Sequence, residues 1–187
     1  MSPKVPNLLT LSRLVVIPLF VLMFFYTDII ARALFLVLFI YASVTDFLDG
    51  YLARTYNIIS NFGRIFDPIA DKALILVVCI MVLVRDHNIA SIILIPVLII
   101  LVRELVISGI REGLALQQIK VKVTTLSKYK TAFQMVALSF LIIGGTENII
   151  TILSQYLGIL TLYIAMIISL ISGISYIKST YKDLTLY

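Results

Sequence analysis

Six long apolar runs constrain the fold of this chain most, because each can cross about 30 Å of hydrocarbon. They lie near residues 8–27, 31–53, 66–86, 90–116, 126–145 and 149–178. The runs are continuous and do not alternate, so they predict α-helices and exclude strands of a membrane barrel. We expect an all-α integral membrane protein with six transmembrane helices, forming a single polytopic domain over residues 1–187.

The composition excludes a water-soluble globule. Hydrophobic residues make up 61% of the chain and charged residues only 13%, which leaves too little polar surface to face water. A soluble nucleic-acid-binding protein could explain the net charge of +5, but it would need a basic aqueous face that this chain lacks. The single cysteine, Cys79, lies in an apolar run, so we expect a buried side chain and neither a disulfide nor a thiolate metal site within the chain.

The basic residues predict the orientation of the helices. Six spans place the N-terminus, the 2–3 loop, the 4–5 loop and the C-terminus on one side, and thirteen of the fifteen lysines and arginines fall there. Only Arg32 and Arg85 fall on the other side. By the positive-inside rule, we expect both termini in the cytoplasm and a multi-pass protein of a bacterial-type inner membrane.

The segment DFLDGYLARTYNIISNFGRIFDPIADK, at the predicted cytoplasmic ends of helices 2 and 3, concentrates acidic side chains. Its aspartates are Asp46, Asp49, Asp67 and Asp71. The first two are at i, i+3 and the last two at i, i+4, so each pair shares one helix face. Asp67 before Pro68 resembles an N-cap followed by a first-turn proline. Two carboxylate pairs on adjacent helices can converge on one point.

Four carboxylates in a low-dielectric setting repel one another unless a cation lies between them. The ligands are all oxygen, which favours Mg²⁺ or Mn²⁺, and four carboxylates suit two ions. Paired ions of this kind hold phosphoryl oxygens during an in-line displacement. The simpler alternative is that the aspartates pair with Arg54, Arg64 and Lys72 as interfacial charge, but this would not require the small residues Gly50, Ala53 and Gly63.

The pattern D-x2-D-G-x2-A-R-x8-G-x3-D-x3-D, from Asp46 to Asp71, resembles the signature of the CDP-alcohol phosphotransferase family. The resemblance implies six transmembrane helices, a homodimer, and transfer of a phosphatidyl or similar group from a CDP-linked donor to an alcohol, with CMP leaving. It implies that the four aspartates hold two divalent ions and that Asp71 is the general base, although Asp71 could instead be only a ligand. By the same resemblance, the CDP site is lined by Gly50, Ala53, Arg54 and Gly63.

Basic residues outside this segment bear on the identity of the acceptor. Arg103 and Arg111 lie in VRELVISGIREG, and Lys128 and Lys130 lie in LSKYKTAF. They outnumber the nearby Glu104 and Glu112, so we expect a cationic pocket for an acceptor phosphate. That pocket would favour a phosphorylated alcohol over choline or ethanolamine, whose cationic ends prefer acids and aromatic rings. An internal Arg103–Glu104 pair that holds helix 4 is the structural alternative.

Within the family, PNLLTLSR, FDPIADK, RELVISGIR and KYKT are similar to the branch that joins CDP-diacylglycerol and sn-glycerol 3-phosphate to give phosphatidylglycerophosphate. The resemblance places Asn7, Thr10 and Arg13 near the donor site, although a role at the helix start and interface is an equal alternative. Ser127 departs from the branch, which commonly has glycine there. Other members of the family would use phosphatidylglycerol, as cardiolipin synthases do, inositol phosphate or serine.

Two more distant functions fit the composition less well. A membrane prenyltransferase also binds diphosphate through aspartates and Mg²⁺, but it would need two separated aspartate motifs and more than six helices. An ion carrier would place its carboxylates at the bilayer midplane, whereas these cluster at one interface. Gly109 and Gly113 predict close helix packing, within the monomer or at a dimer interface. The tyrosines of helix 6, Tyr156, Tyr163, Tyr176 and Tyr181, are expected to be packing or interface residues and not ligands.

Overall fold

The computed structural model describes residues 4–23, 26, 28–56, 61–116 and 125–184. Side chains are described at residues 12, 13, 15–23, 26, 28–45, 66–115 and 126–180. These parts of the chain contain six helices and no strand, which confirms the all-α expectation. The helices are α1 (Lys4–Met23), α2 (Ile29–Tyr56), α3 (Asn61–Arg85), α4 (His87–Leu116), α5 (Thr125–Ile143) and α6 (Ile149–Leu184).

Two of the described helices, α4 and α6, contain stretches long and apolar enough to cross a membrane. These stretches are His87–Ala115 and Ile149–Thr180, with mean hydropathies of 2.6 and 2.3. A shorter apolar stretch, Ile29–Thr45, lies in α2. Large apolar side chains also face outward along the helices; Ile30 and Ile95, for example, are 69% and 61% exposed. A surface this rich in exposed leucine and isoleucine is suited to lipid.

The helices pack in two groups that share one core. Helix α1 packs against both α2 and α3, and α6 packs against α5 and α4. Contacts from α2 and α3 to α5, and from α3 to α4, join the groups. The core between them includes Phe39, Leu74, Ile93, Leu138 and Leu162, each at most 1% exposed. Cys79 is buried in the same core, as the sequence predicts.

The start of α3 differs from the sequence prediction. We expected the helix to begin near residue 66, with Asp67 as its N-cap, but α3 begins at Asn61 and includes Pro68 in its interior. The N-cap prediction was wrong because an Asp-Pro sequence is compatible both with the start of a helix and with a proline in the interior of a helix. A proline inside a helix removes one backbone hydrogen bond, a cost that membrane helices accept more often than soluble ones do. Asp67 and Asp71 therefore both lie within a continuous helix.

The C-terminal end of α5 is capped by two arginines from other helices. Arg85 donates to the carbonyls of Leu141 and Ile142 at 2.9 and 2.8 Å, and Arg32 donates to the carbonyl of Gly144 at 3.0 Å. Cations stabilise helix C-termini because the last carbonyls lack intrahelical partners. Arg32 also pairs with Glu147 in the turn that follows α5. These contacts fix α5 and α6 at the end of the protein opposite the aspartates.

Candidate active site

The aspartate-rich segment is divided between α2 and α3. Asp46, Asp49, Gly50, Ala53 and Arg54 belong to the last turns of α2, and Gly63 belongs to the first turn of α3. Asn7 and Thr10 lie on α1. The side chains of these residues, and what surrounds them, lie outside the described residues. The predictions that rest on them stay predictions.

Asp67 is linked to α1 through Arg13. An Nη of Arg13 lies 3.4 Å from Oδ1 of Asp67. The Arg13 side chain is fully buried, whereas that of Asp67 is 44% exposed. A guanidinium confined in this way fixes the carboxylate in one orientation while leaving part of it open to a ligand. Arg13 thus anchors the first aspartate of α3, a role that its position near the start of the chain does not reveal.

A cavity of about 670 Å³ lies between α2, α3, α4 and α5, and Asp71 lines it. The same cavity is lined by the four basic residues of the predicted acceptor pocket, Arg103, Arg111, Lys128 and Lys130. The structure therefore brings residues separated by up to sixty positions in the chain to one space. Its size is typical of a site for a small ligand.

The described residues that line the cavity carry an excess of positive charge. Among them, five side chains are cationic, the four above and Lys72, and two are carboxylates, Asp71 and Glu104. Lys130 is paired with Glu104, and Lys72 binds Ser108 and, at 3.2 Å, Glu112 on α4. Among the described side chains, the acidic partner of Lys72 is therefore Glu112 and neither Asp67 nor Asp71. The net charge of the lining suits an anionic ligand.

Arg103 and Glu104 do not form the internal pair considered from the sequence. Glu104 pairs with Lys130 of α5, and Arg103 donates to Ser127 of α5 at 3.3 Å and to Ser172 of α6 at 2.9 Å. Neighbouring residues on a helix do not face each other, which explains why the two charges find partners on different helices. Arg103 is thereby held by two neutral hydroxyls.

Sequence reasoning missed the contribution of α6. Its face toward the arginines is polar, with Ser169, Ser172, Tyr176 and Thr180 each at most 5% exposed. Arg111 lies over the ring of Tyr176, with Cζ 6.0 Å from the centroid. The spacing of these residues, at i, i+3, i+7 and i+11 in an apolar helix, was the available signal, because polar groups in such helices face the protein interior.

A divalent metal fits the donors that α3 presents. Asp67 is partly exposed, Asp71 lines the cavity, and both offer the oxygen ligands that Mg²⁺ and Mn²⁺ prefer. Among the side chains that the structure describes, no group of three or more histidines, cysteines and acids is close enough to hold a metal. The side chains of Asp46 and Asp49, the other half of the predicted cage, lie outside the described residues.

Comparison with known proteins identifies the family. The family model described as CDP-alcohol phosphatidyltransferase matches residues 3–173. The chain belongs to this family. The resemblance carried by the aspartate pattern is therefore confirmed, and the positions of the pattern lie within the matched region. Membership in a family named for a transfer reaction identifies the chain as an enzyme.

Curated relatives cover almost the whole chain. It is 47% identical over 176 residues to the CDP-diacylglycerol--glycerol-3-phosphate 3-phosphatidyltransferase of Rickettsia typhi, covering 94% of this chain and 96% of the relative. The protein of that name from Rickettsia felis is 47% identical over 179 residues, covering 96% of each. The one from Shigella flexneri is 36% identical over 186 residues, covering 98% of each.

Proposed function

We propose that this chain transfers the phosphatidyl group of CDP-diacylglycerol to sn-glycerol 3-phosphate, giving phosphatidylglycerophosphate and CMP in phospholipid biosynthesis. The observation that carries the proposal is the cavity in which Asp71 meets Arg103, Arg111, Lys128 and Lys130. The names of the relatives support the same reaction. A cationic cavity favours glycerol 3-phosphate over serine, which carries no phosphate.

The acceptor binds through its phosphate. Arginine offers planar paired donors to phosphate oxygens, and lysine adds a point charge. Held by these side chains, glycerol 3-phosphate presents its free hydroxyl toward Asp71 at the α3 side of the cavity. The Asp71 carboxylate accepts the hydroxyl proton as the new oxygen–phosphorus bond forms. The bond to the leaving CMP oxygen breaks in the same displacement.

The donor lies on the other side of Asp71, between α1, α2 and α3. Arg54 would bind a phosphate of the CDP group, while Gly50, Ala53 and Gly63 would leave room for the nucleotide. Asn7 and Thr10 would line the same site from α1. Arg13, whose buried guanidinium lies 3.4 Å from Oδ1 of Asp67, would hold that carboxylate in place beside the donor.

Two divalent ions, Mg²⁺ or Mn²⁺, complete the proposed site. Asp46, Asp49, Asp67 and Asp71 would hold them. When bound, they neutralise the diphosphate of the donor and make CMP a better leaving group. The proposal extends to a single domain of six transmembrane helices that forms a homodimer in an inner membrane, with both termini and the site facing the cytoplasm.

Purified protein in detergent tests the proposed reaction. With CDP-diacylglycerol and Mg²⁺, CMP release should require glycerol 3-phosphate, stop with EDTA and resume with Mg²⁺ or Mn²⁺. Asp71→Asn should abolish release while the protein still inserts into membranes. CMP release that occurs only with phosphatidylglycerol, inositol phosphate or serine would contradict the acceptor, and full activity of Asp71→Asn would contradict the site.

A further inference from the structure

Arg103 lies in the apolar stretch of α4 without a carboxylate partner among the described ion pairs. Its guanidinium binds the hydroxyls of Ser127 and Ser172. A charge at this depth is costly unless the protein surrounds it with polar groups. Neutral hydroxyls supply hydrogen bonds without cancelling the charge, in contrast to Glu104, which neutralises Lys130. No described carboxylate therefore forms an ion pair with Arg103 that would compete with an anionic ligand in the cavity.

Ser172 is oriented to receive Arg103. Its side chain is fully buried, and its hydroxyl donates to the carbonyl of Ser169 at 3.1 Å. With the hydroxyl proton committed in that direction, the oxygen lone pairs accept from Arg103 at 2.9 Å. The hydrogen bond fixes the guanidinium against α6 before any ligand arrives.

Gly173 provides the space that the Arg103 stem occupies. A Cβ at this position would lie 3.1 Å from Cγ and 3.2 Å from Nε of Arg103, closer than an unstrained packing contact. Glycine in a helix is less favourable than alanine by about 1 kcal/mol. The close approach of Arg103 gives this glycine a structural reason, because a methyl group here would require the Arg103 side chain to shift by a few tenths of an ångström.

Tyr176, one turn beyond Ser172, supports the second arginine. Its ring is 2% exposed and lies beneath Arg111, with 6.0 Å between Cζ and the ring centroid. This separation is at the limit of a cation–π contact. Ser172 and Tyr176 lie on one face of α6 at i, i+4, so one face of one helix contacts both arginines of the cavity.

We propose that Ser172, Gly173 and Tyr176 are positioning residues that set the affinity of the enzyme for the phosphate of its acceptor. They act through Arg103 and Arg111, which line the cavity, whereas none of the three is among the described residues of its lining. The inference rests on the proposed function, since it assigns these arginines to the acceptor. It gives α6 a part in acceptor recognition.

Steady-state kinetics of the purified enzyme test this role. Ser172→Ala and Gly173→Ala should each raise the KM for glycerol 3-phosphate about tenfold, since a hydrogen bond to a charged group is lost or misaligned, and leave the KM for CDP-diacylglycerol unchanged. Ser169→Ala and Gly109→Ala are matched controls, because the first retains the Ser169 carbonyl and a Cβ at Gly109 would meet no described residue within 4 Å. Both controls should behave like the unmodified protein.

A double-variant cycle separates positioning from general packing. If Ser172 acts through Arg103, the variant carrying Arg103→Ala and Ser172→Ala should have the same KM for glycerol 3-phosphate as Arg103→Ala alone. Additive effects, an equal rise in both KM values, or an unchanged KM for glycerol 3-phosphate in the single variants would overturn the proposal.

Binding without turnover distinguishes this proposal from the function on which it rests. Glycerol 3-phosphate and inorganic phosphate should raise the melting temperature of the unmodified protein, and less so that of Ser172→Ala and Gly173→Ala. A Ser172-dependent shift without glycerol 3-phosphate turnover would contradict the proposed reaction and support the positioning role. Normal turnover with equal shifts in all variants would contradict the positioning role alone.

Discussion

Lys130 of α5 and Glu104 of α4 form an ion pair in which both side chains are largely buried, at 3% and 20% exposure. By contrast, the pair of Lys72 and Glu112 is 29% and 66% exposed. Lys130, Glu104 and Lys72 line the same cavity, so the two pairs allow a direct comparison of burial. The consequence of breaking each should differ because only the first leaves a charge inside the protein.

We expect Glu104→Gln to lower the free energy of unfolding by about 3 kcal/mol, because it leaves the Lys130 ammonium buried without countercharge. Glu112→Gln should cost less than about 1 kcal/mol, as breaking an exposed pair does. Unfolding of both variants in detergent, by heat or denaturant, measures the difference. Equal destabilisation would show that the Glu104 pair is not shielded from solvent.

The contact between Arg13 and Asp67 predicts a loss of activity from a residue outside the aspartate segment. Arg13→Gln removes the guanidinium that orients Asp67, and we expect turnover to fall about tenfold or more, as the loss of a hydrogen bond to a charged group implies. Arg32→Gln is the control, since Arg32 is also a buried arginine but binds the far end of α5. Its folded fraction should keep full activity. The same loss in both variants would argue that any buried arginine matters equally.

Gly158 of α6 lies where a side chain would collide with α5. A Cβ there would lie 2.7 Å from Cγ and 3.0 Å from the backbone nitrogen of Leu141. Gly158→Ala should therefore destabilise the protein by about 1–3 kcal/mol through overpacking. Gly113→Ala, where a Cβ would meet nothing within 4 Å in the described part of the chain, should be neutral or stabilise α4. Thermal unfolding in detergent tests the contrast, and the opposite order would contradict the α5–α6 packing.

The pair of Arg32 and Glu147 predicts a pH dependence in the acid range. The hydrogen bond from Arg32 holds the pKa of Glu147 below its ordinary value of 4.5. The carboxylate therefore stabilises the fold fully above pH 4.5, and the contribution is lost as the pH falls below that value. Glu147→Gln should melt slightly lower than the unmodified protein at pH 7, and the two melting curves should converge on acidification. A difference that grows toward low pH would contradict the pairing.

The helices were largely predictable from the sequence because long apolar runs leave few alternatives. Their ends were less predictable. α3 begins at Asn61 and not near residue 66, because Pro68 is compatible with both a helix start and a helix interior. Close packing of Gly109 and Gly113 was predicted within the monomer or at a dimer interface; among the described residues of the chain, a Cβ at either glycine would meet nothing within 4 Å, so the interface alternative stays a prediction. Small residues permit close approach but do not reveal whether a neighbour is there.

The basic residues of the candidate site were predictable because they interrupt or flank apolar runs. Arg103 and Lys130 are conspicuous because charges within or beside apolar runs are rare, and both line the cavity with Asp71. Their partners were not predictable. Glu104 follows Arg103 in the chain yet faces Lys130 on another helix, and Ser172 is a neutral residue in an apolar helix whose importance depends on a contact 69 positions away.

The two arginines that cap α5 are also the exceptions to the charge bias of the sequence. Arg32 and Arg85 bind backbone carbonyls at the end of α5, so replacing them with neutral residues would strengthen the positive-inside signal and weaken the fold at once. Under the topology proposed above, neutral residues at these two positions would favour correct insertion, whereas arginines favour the stability of the folded protein. The larger number of cytoplasmic lysines and arginines must therefore set the orientation during insertion, before α5 has formed and its carbonyls can bind Arg32 and Arg85.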